Sequence, residues 1–214
     1  MSVLTLILLH FFLGLISSFL GALPLGTVNL SVVDATVNKN FKAGLNISLA
    51  ASFIEILQSS LALYFGMQIS EQLSTNIYTR IFVFILFASL GMMFFTRKRK
   101  SCEKDFSRKD IPDFFKGIIL ALINPQALPF WVFVITWFQS AHLLELDPHG
   151  QMTLIVVFLV GIWAGKFLAL LLFGVLSVVI VRKVQVLSQW MNKIIGGVLL
   201  SLAMYQGVSL ILQS

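Results

Sequence analysis

Apolar residues run almost unbroken over residues 3–37, and five further apolar runs follow at 43–69, 77–95, 117–138, 152–181 and 194–212. A bilayer core of about 30 Å takes roughly 20 apolar residues to cross as a helix, so each run predicts a transmembrane helix and the chain reads as an all-α integral membrane protein with six spans. Two of the runs carry their own interruptions. In the first, Gly21-Ala-Leu-Pro-Leu-Gly-Thr-Val-Asn29 places Gly21, Pro24, Gly26 and Asn29 inside the apolar stretch; in the fourth, Leu122-Ile-Asn-Pro-Gln-Ala-Leu-Pro129 does the same around Pro125. Proline lacks an N–H and clashes with the preceding turn, so both helices should break. Hydrocarbon cannot hydrogen-bond the backbone groups that a break frees, and such a break survives only where protein or a water-filled cavity satisfies them. The first run exceeds one crossing, and it accommodates either a helix broken at Pro24 or a shorter span followed by a re-entrant piece.

Three runs, a charged linker and three more runs predict a repeat at 1–96, a cytoplasmic linker at 97–116 and a second repeat at 117–214. An odd number of crossings per repeat inverts the second relative to the first. Paired interruptions in matching positions, here in the first and fourth helices, are the usual sequence pointer to a transporter's binding site. The two breaks should therefore lie near one another and line one cavity.

Charge orients the chain. Loops one, three and five collect thirteen Lys and Arg, among them the run Arg97-Lys-Arg-Lys100, against Arg80 alone on the other side. The positive-inside rule places those loops in the cytoplasm and both termini outside. Tyr78 and Trp137 then fall at outer helix ends and Trp190 at an inner one, where amphipathic rings prefer to sit. With 58% hydrophobic and 11% charged residues and a mean hydropathy of +0.94, against roughly 25% charge in soluble domains, the net charge of +6 describes membrane-flanking loops rather than a nucleic-acid surface. The N-terminal run has no preceding basic residue and no small-residue cleavage pattern, so it reads as a retained helix. Cys102, the single cysteine, excludes an internal disulfide.

The chemistry inside the apolar runs is sparse. Glu55 lies near the middle of the second run and Lys166 near the middle of the fifth, which puts both close to the bilayer centre. There an isolated charge costs about 2.5–3.5 kcal/mol or more, so opposite signs at one depth predict a pair or a shared polar cavity. Two readings stand: an ion pair that locks the repeats together, or a Glu55 that gains and loses a proton while Lys166 holds a substrate carboxylate or neutralises Glu55 between steps. Gln58 follows Glu55 on the same helical face, beyond a small-residue face of Ala43, Gly44, Ala50, Ala51 and Ser52. Gly161 and Gly165 form a G-x-x-x-G pair suited to close helix packing. Asn29 and Asn124, beside the two prolines, are suited either to freed backbone groups or to a ligand. His10 reads as a histidine satisfied by a neighbour, and Asp34 as a solvated carboxylate near a helix end. No hydrolase, zinc-protease or nucleotide-binding motif occurs, and no metal or cofactor site is expected.

With these residues in view, the chain resembles the lysine exporter (LysE/RhtB) family of small bacterial inner-membrane translocators. Leu23-Pro-Leu-Gly-Thr-Val-Asn29 looks like the family's Pro-Gly-Pro-type break. The small residues from Gly44 to Glu55 resemble its glycine-rich segment ending in an acidic residue, and Asn124-Pro125-Gln126-Ala127 is similar to its Asn-Pro-Lys-Ala motif. Leu25 and Gly26 depart from the first motif. Gln126 stands where the family has lysine, and Lys166 is the candidate replacement cation. The resemblance implies a non-enzymatic secondary transporter that exports amino acids or related zwitterions, driven by the proton motive force. Its expected partners are a small-molecule substrate and the lipid bilayer, with a homodimer compatible and no nucleic acid. A membrane assembly subunit and a membrane-embedded lipid-modifying enzyme are the competing readings.

Overall fold

The structure, a computed structural model, describes residues 2–73, 111–124, 126–140 and 152–180, with isolated positions at 81, 85, 88, 92, 143, 197, 201 and 204. All regular structure among the described residues is helical: α1 (Val3–Ala22), α2 (Thr27–Asn38), α3 (Phe41–Leu73), α4 (Asp113–Leu122), α5 (Ala127–Ser140) and α6 (Met152–Val175). The expected third and sixth spans lie outside the described residues except for isolated helical positions. So do Pro125, Cys102, Arg80, Tyr78, Trp190 and most of the basic linker.

Among the described residues three helices are long and apolar enough to cross a membrane: Val3–Ala22, the Phe41–Tyr64 part of α3, and Met152–Val175. The α4–α5 pair, bent by 62°, makes a fourth if it is one span. Both predicted interruptions fall between helices. The first run resolves into α1, whose 20 residues measure about 30 Å, long enough for one crossing, and a separate α2 beyond Pro24.

Lipid tails are as apolar as leucine, so membrane helices associate through close packing of small side chains. α1 follows this rule by side-chain size. Its buried face repeats every fourth residue as His10, Gly14, Ser18 and Ala22, while Leu4, Leu8, Phe12, Ile16 and Leu20 are exposed on the other side. The small face packs on α6. A Cβ on Gly14 would strike the carbonyl of Phe158, one on Gly161 the carbonyl of Phe11, and one on Gly165 the carbonyl of Leu15. Residue numbers rise together along this seam, so α1 and α6 run parallel. α3 runs antiparallel to α6, since Gly174 faces Phe41 while Trp163 meets Phe53 with ring centroids 5.9 Å apart.

Three apolar clusters form the core among the described residues, the smallest of Leu25, Val33 and Phe173, and the two larger ones form layers. One joins Ala62 and Leu63 of α3 to Trp131 and Ile135 of α5 and to Phe158 and Ile162 of α6. The other joins Val28 and Val32 of α2 to Ile47 and Ala51 of α3, Ala121 of α4 and Leu170 of α6. At the far end Lys39 pairs with Asp113 at 2.7 Å and ties the end of α2 to the start of α4. With Lys39 largely exposed, this contact is worth at most about 1 kcal/mol.

Candidate functional site

Between the two apolar layers lies a polar one. Along α3, Glu55 falls after Ala51 and before Ala62; along α6, Lys166 falls after Ile162 and before Leu170. Both side chains are buried, 7% and 8% exposed, and Lys166 Nζ stands 3.1 Å from Glu55 Oε2. The other carboxylate oxygen, Oε1, accepts a hydrogen bond of 2.8 Å from the indole Nε1 of Trp131 on α5. One carboxylate thus joins three helices, and each of its oxygens has a different partner. Trp131 is itself fully buried and packs edge-on against Phe158, with centroids 6.3 Å apart.

Helix ends leave carbonyls without intrahelical partners, and at both breaks an amide side chain donates to such a carbonyl; at the second, Ala121 O also accepts from the backbone N–H of Asn124 at 3.2 Å. Asn29, on the first turn of α2, uses Nδ2 to donate to Ala22 O at 2.6 Å and to Pro24 O at 2.9 Å. Gln58, one turn beyond Glu55, donates from Nε2 to Ala121 O at the end of α4, 2.8 Å away. Asn124 acts locally: its Oδ1 accepts from the backbone N–H of Gln126 at 3.3 Å. The neighbouring hydroxyls turn inward on α3, Ser48 to Gly44 O at 2.8 Å and Ser52 to Ser48 O at 2.7 Å.

The breaks share surroundings. Val28, just past the first, and Ala121, just before the second, belong to one buried cluster. Gly21 lies against the ring of Phe130. α2 begins at Gly26 without a side-chain cap, and a Cβ there would meet nothing nearer than Pro24 O at 4.0 Å. Gln58 Oε1 is buried without a hydrogen-bond partner.

Of the residues nominated from sequence, the structure brings Glu55, Lys166 and Gln58 into this layer and places Asn29 and Asn124 on freed backbone. Gln126 lies half-buried at the start of α5, and Pro125 is outside the described residues. His10 donates from Nδ1 to Leu6 O at 2.8 Å, and Asp34 accepts from Asn38 at 2.6 Å. Trp131 is a site residue that sequence reasoning misses. The signal for it is that a buried indole N–H normally finds a partner, but an indole among aliphatic and aromatic neighbours reads as packing. No group of His, Cys, Asp and Glu able to hold a metal ion occurs among the described residues.

No curated protein and no solved structure matches the chain. A family model does, described as LysE type translocator and aligned over residues 19–210, which takes in both breaks, Glu55, Trp131 and Lys166. The mid-helix ion pair joins two continuous helices, α3 and α6, beside the two breaks, and with the match over most of its length the chain belongs to the LysE type translocator family.

Proposed function

We propose that the protein is a secondary transporter that exports amino acids or related small zwitterions across a bacterial inner membrane, exchanging them for protons. The observation that carries this reading is the Glu55–Lys166 pair, held at 3.1 Å between two apolar layers. A zwitterion complements such a pair head to tail, its ammonium on the carboxylate of Glu55 and its carboxylate on the ammonium of Lys166. Inserted between them, it replaces one ion pair by two and leaves neither protein charge uncompensated in the membrane. The uncapped start of α2 adds support, because free N–H groups and the positive end of a helix dipole favour a carboxylate. α2 lies close enough for this: Val28 and Leu170, one turn from Lys166, share a buried cluster. Proton exchange follows from Glu55, which can take up a proton from outside and expel the substrate ammonium there.

The test is efflux from proteoliposomes loaded with a radiolabelled mixture of neutral L-amino acids. An imposed pH gradient, acid on the receiving side, should accelerate efflux over protein-free vesicles, and equal rates with and without the gradient defeat the proposal.

For topology we infer six spans as two inverted repeats with both termini outside. Parallel α1 and α6 with antiparallel α3 support this, since odd and even spans must run in opposite senses. Cys102 should then resist a membrane-impermeant thiol reagent in intact cells and react after lysis; ready labelling without lysis overturns the orientation.

A further inference from the structure

Glu55 presents two oxygens with different duties, and the difference comes from Trp131. An indole N–H can only donate, so its 2.8 Å bond requires Oε1 to offer a lone pair whatever the charge on the carboxyl. In a neutral carboxyl the carbonyl oxygen is the better acceptor, and an oxygen holding the indole bond stays the carbonyl. The indole bond therefore favours the added proton at Oε2. Oε2 is also the oxygen that meets Lys166 Nζ at 3.1 Å. A protonated Oε2 turns a donor toward an ammonium that has only donors, and the two cannot stay paired.

We propose that Trp131 is the positioning residue that enforces one-for-one exchange in this transporter, by withdrawing Oε1 from competition and leaving Oε2 as a single seat. Three occupants contend for that seat: the Lys166 ammonium at rest, the substrate ammonium when loaded, and the proton when the substrate is expelled. Each excludes the others. The proton arrives from outer water, bonds to Oε2, and leaves to the cytoplasm when Lys166 or substrate returns; no other bond changes. Without the indole, Glu55 can hold a proton on one oxygen and a cation on the other. Substrate and proton then ride together, and the gradient is lost through slip. This inference rests on the exchange reading above.

The surroundings leave Lys166 as the charged group on Glu55 among the described side chains. α5 contributes Trp131 and no titratable group. On α1 the titratable group is His10, with Nδ1 bonded to Leu6 O. Asp34 on α2 is bonded to Asn38. Lys39 and Asp113 pair with each other at the helix ends; Lys42 lies more than three helical turns along α3 from Glu55, Tyr64 lies about two and a half turns beyond Glu55 with an exposed side chain, and Lys116 sits half-buried on α4, five residues before Ala121.

Two variants remove the donor: Trp131→Phe, and incorporation at 131 of β-(3-benzothienyl)alanine, which keeps the bicyclic volume and replaces the N–H by sulfur. The second guards against a loss of fold in the first. In full-length protein in vesicles at acid pH, infrared spectroscopy should show a protonated-carboxyl C=O band that disappears in the double variant Glu55→Gln with Lys166→Met. With either Trp131 variant the band should move to higher wavenumber, as the carbonyl loses its donor. In proteoliposomes with the same neutral L-amino-acid mixture, the ratio of gradient-driven efflux to substrate exchange should fall about tenfold or more, the size expected for losing a hydrogen bond to a charged group. A merely structural Trp131 would lower both rates together and leave the ratio alone. A Glu55 band that keeps its position, or an unchanged ratio, overturns the role of Trp131 and leaves the exchange reading standing. Absence of the band from wild type at every pH overturns both.

Discussion

The double variant Glu55→Gln with Lys166→Met is expected to fold to wild-type levels and to lose gradient-driven efflux, while either single variant loses much of the folded protein. The Glu55 and Lys166 charges sit 3.1 Å apart in a layer where both side chains are buried. Removing one strands the other, and breaking a buried pair from one side costs about 3–5 kcal/mol. At the centre of a membrane helix that stranded charge has no water to turn to, which keeps the cost at the high end. Glutamine and methionine together remove the mismatch. The glutamine can still accept from the Trp131 indole through its side-chain carbonyl, and the methionine fills the volume of the Lys166 stem. Thermal unfolding in detergent should therefore rank the double variant near wild type and both singles well below. Transport separates the two roles left open by sequence. A pair that only locks helices together would leave the double variant with full driven efflux, and that result would rule out Glu55 as the proton carrier. Measured at matched protein level, driven efflux at the rate of empty vesicles is the expected outcome.

How much of this was legible beforehand depends on where the information resides. Spans α1, α3 and α6 follow from unbroken apolar length, and Pro24 announces its break through the missing N–H and the flanking glycines. Glu55 and Lys166 stand out because a charge in an apolar run is costly, and equal depth follows from helix rise alone. What sequence left open was decided by tertiary geometry. Nothing local says that α1 reaches a full span's length before Pro24, or that Asn29 donates to the carbonyls of Ala22 and Pro24. The partner of Gln58 lies on another helix, at Ala121. Trp131 shows the limit best. Trp137, one and two-thirds turns further on, is 55% exposed while Trp131 is fully buried. Which indole faces the carboxylate depends on the rotation of α5 after a 62° bend, and no periodicity in residues 127–140 encodes that angle.

The small-residue seam between α1 and α6 carries the other large effect: Gly161→Ala combined with Gly165→Ala should lower stability sharply, although alanine is the better helix former by about 1 kcal/mol per site. Propensity loses here because of what the new methyls meet. The Cβ on Gly161 falls on the carbonyl of Phe11 and the Cβ on Gly165 on the carbonyl of Leu15, both backbone atoms of α1. Side chains can rotate away from an intruder, whereas a helix backbone can only be pushed off as a body. Overpacking usually costs about 1–3 kcal/mol, and two such contacts on one seam act in the same direction. The same displacement draws Lys166, next to Gly165, away from its register with Glu55. Gly174→Ala is the matched control on the same helix. Its Cβ would find Phe41 at 3.6 Å and Thr36 at 3.7 Å, ordinary contact distances, so this variant should be as stable as wild type or slightly more so. Detergent unfolding midpoints for the three proteins decide the matter: a double alanine variant that melts with the control would mean that α1 and α6 are not held at backbone contact.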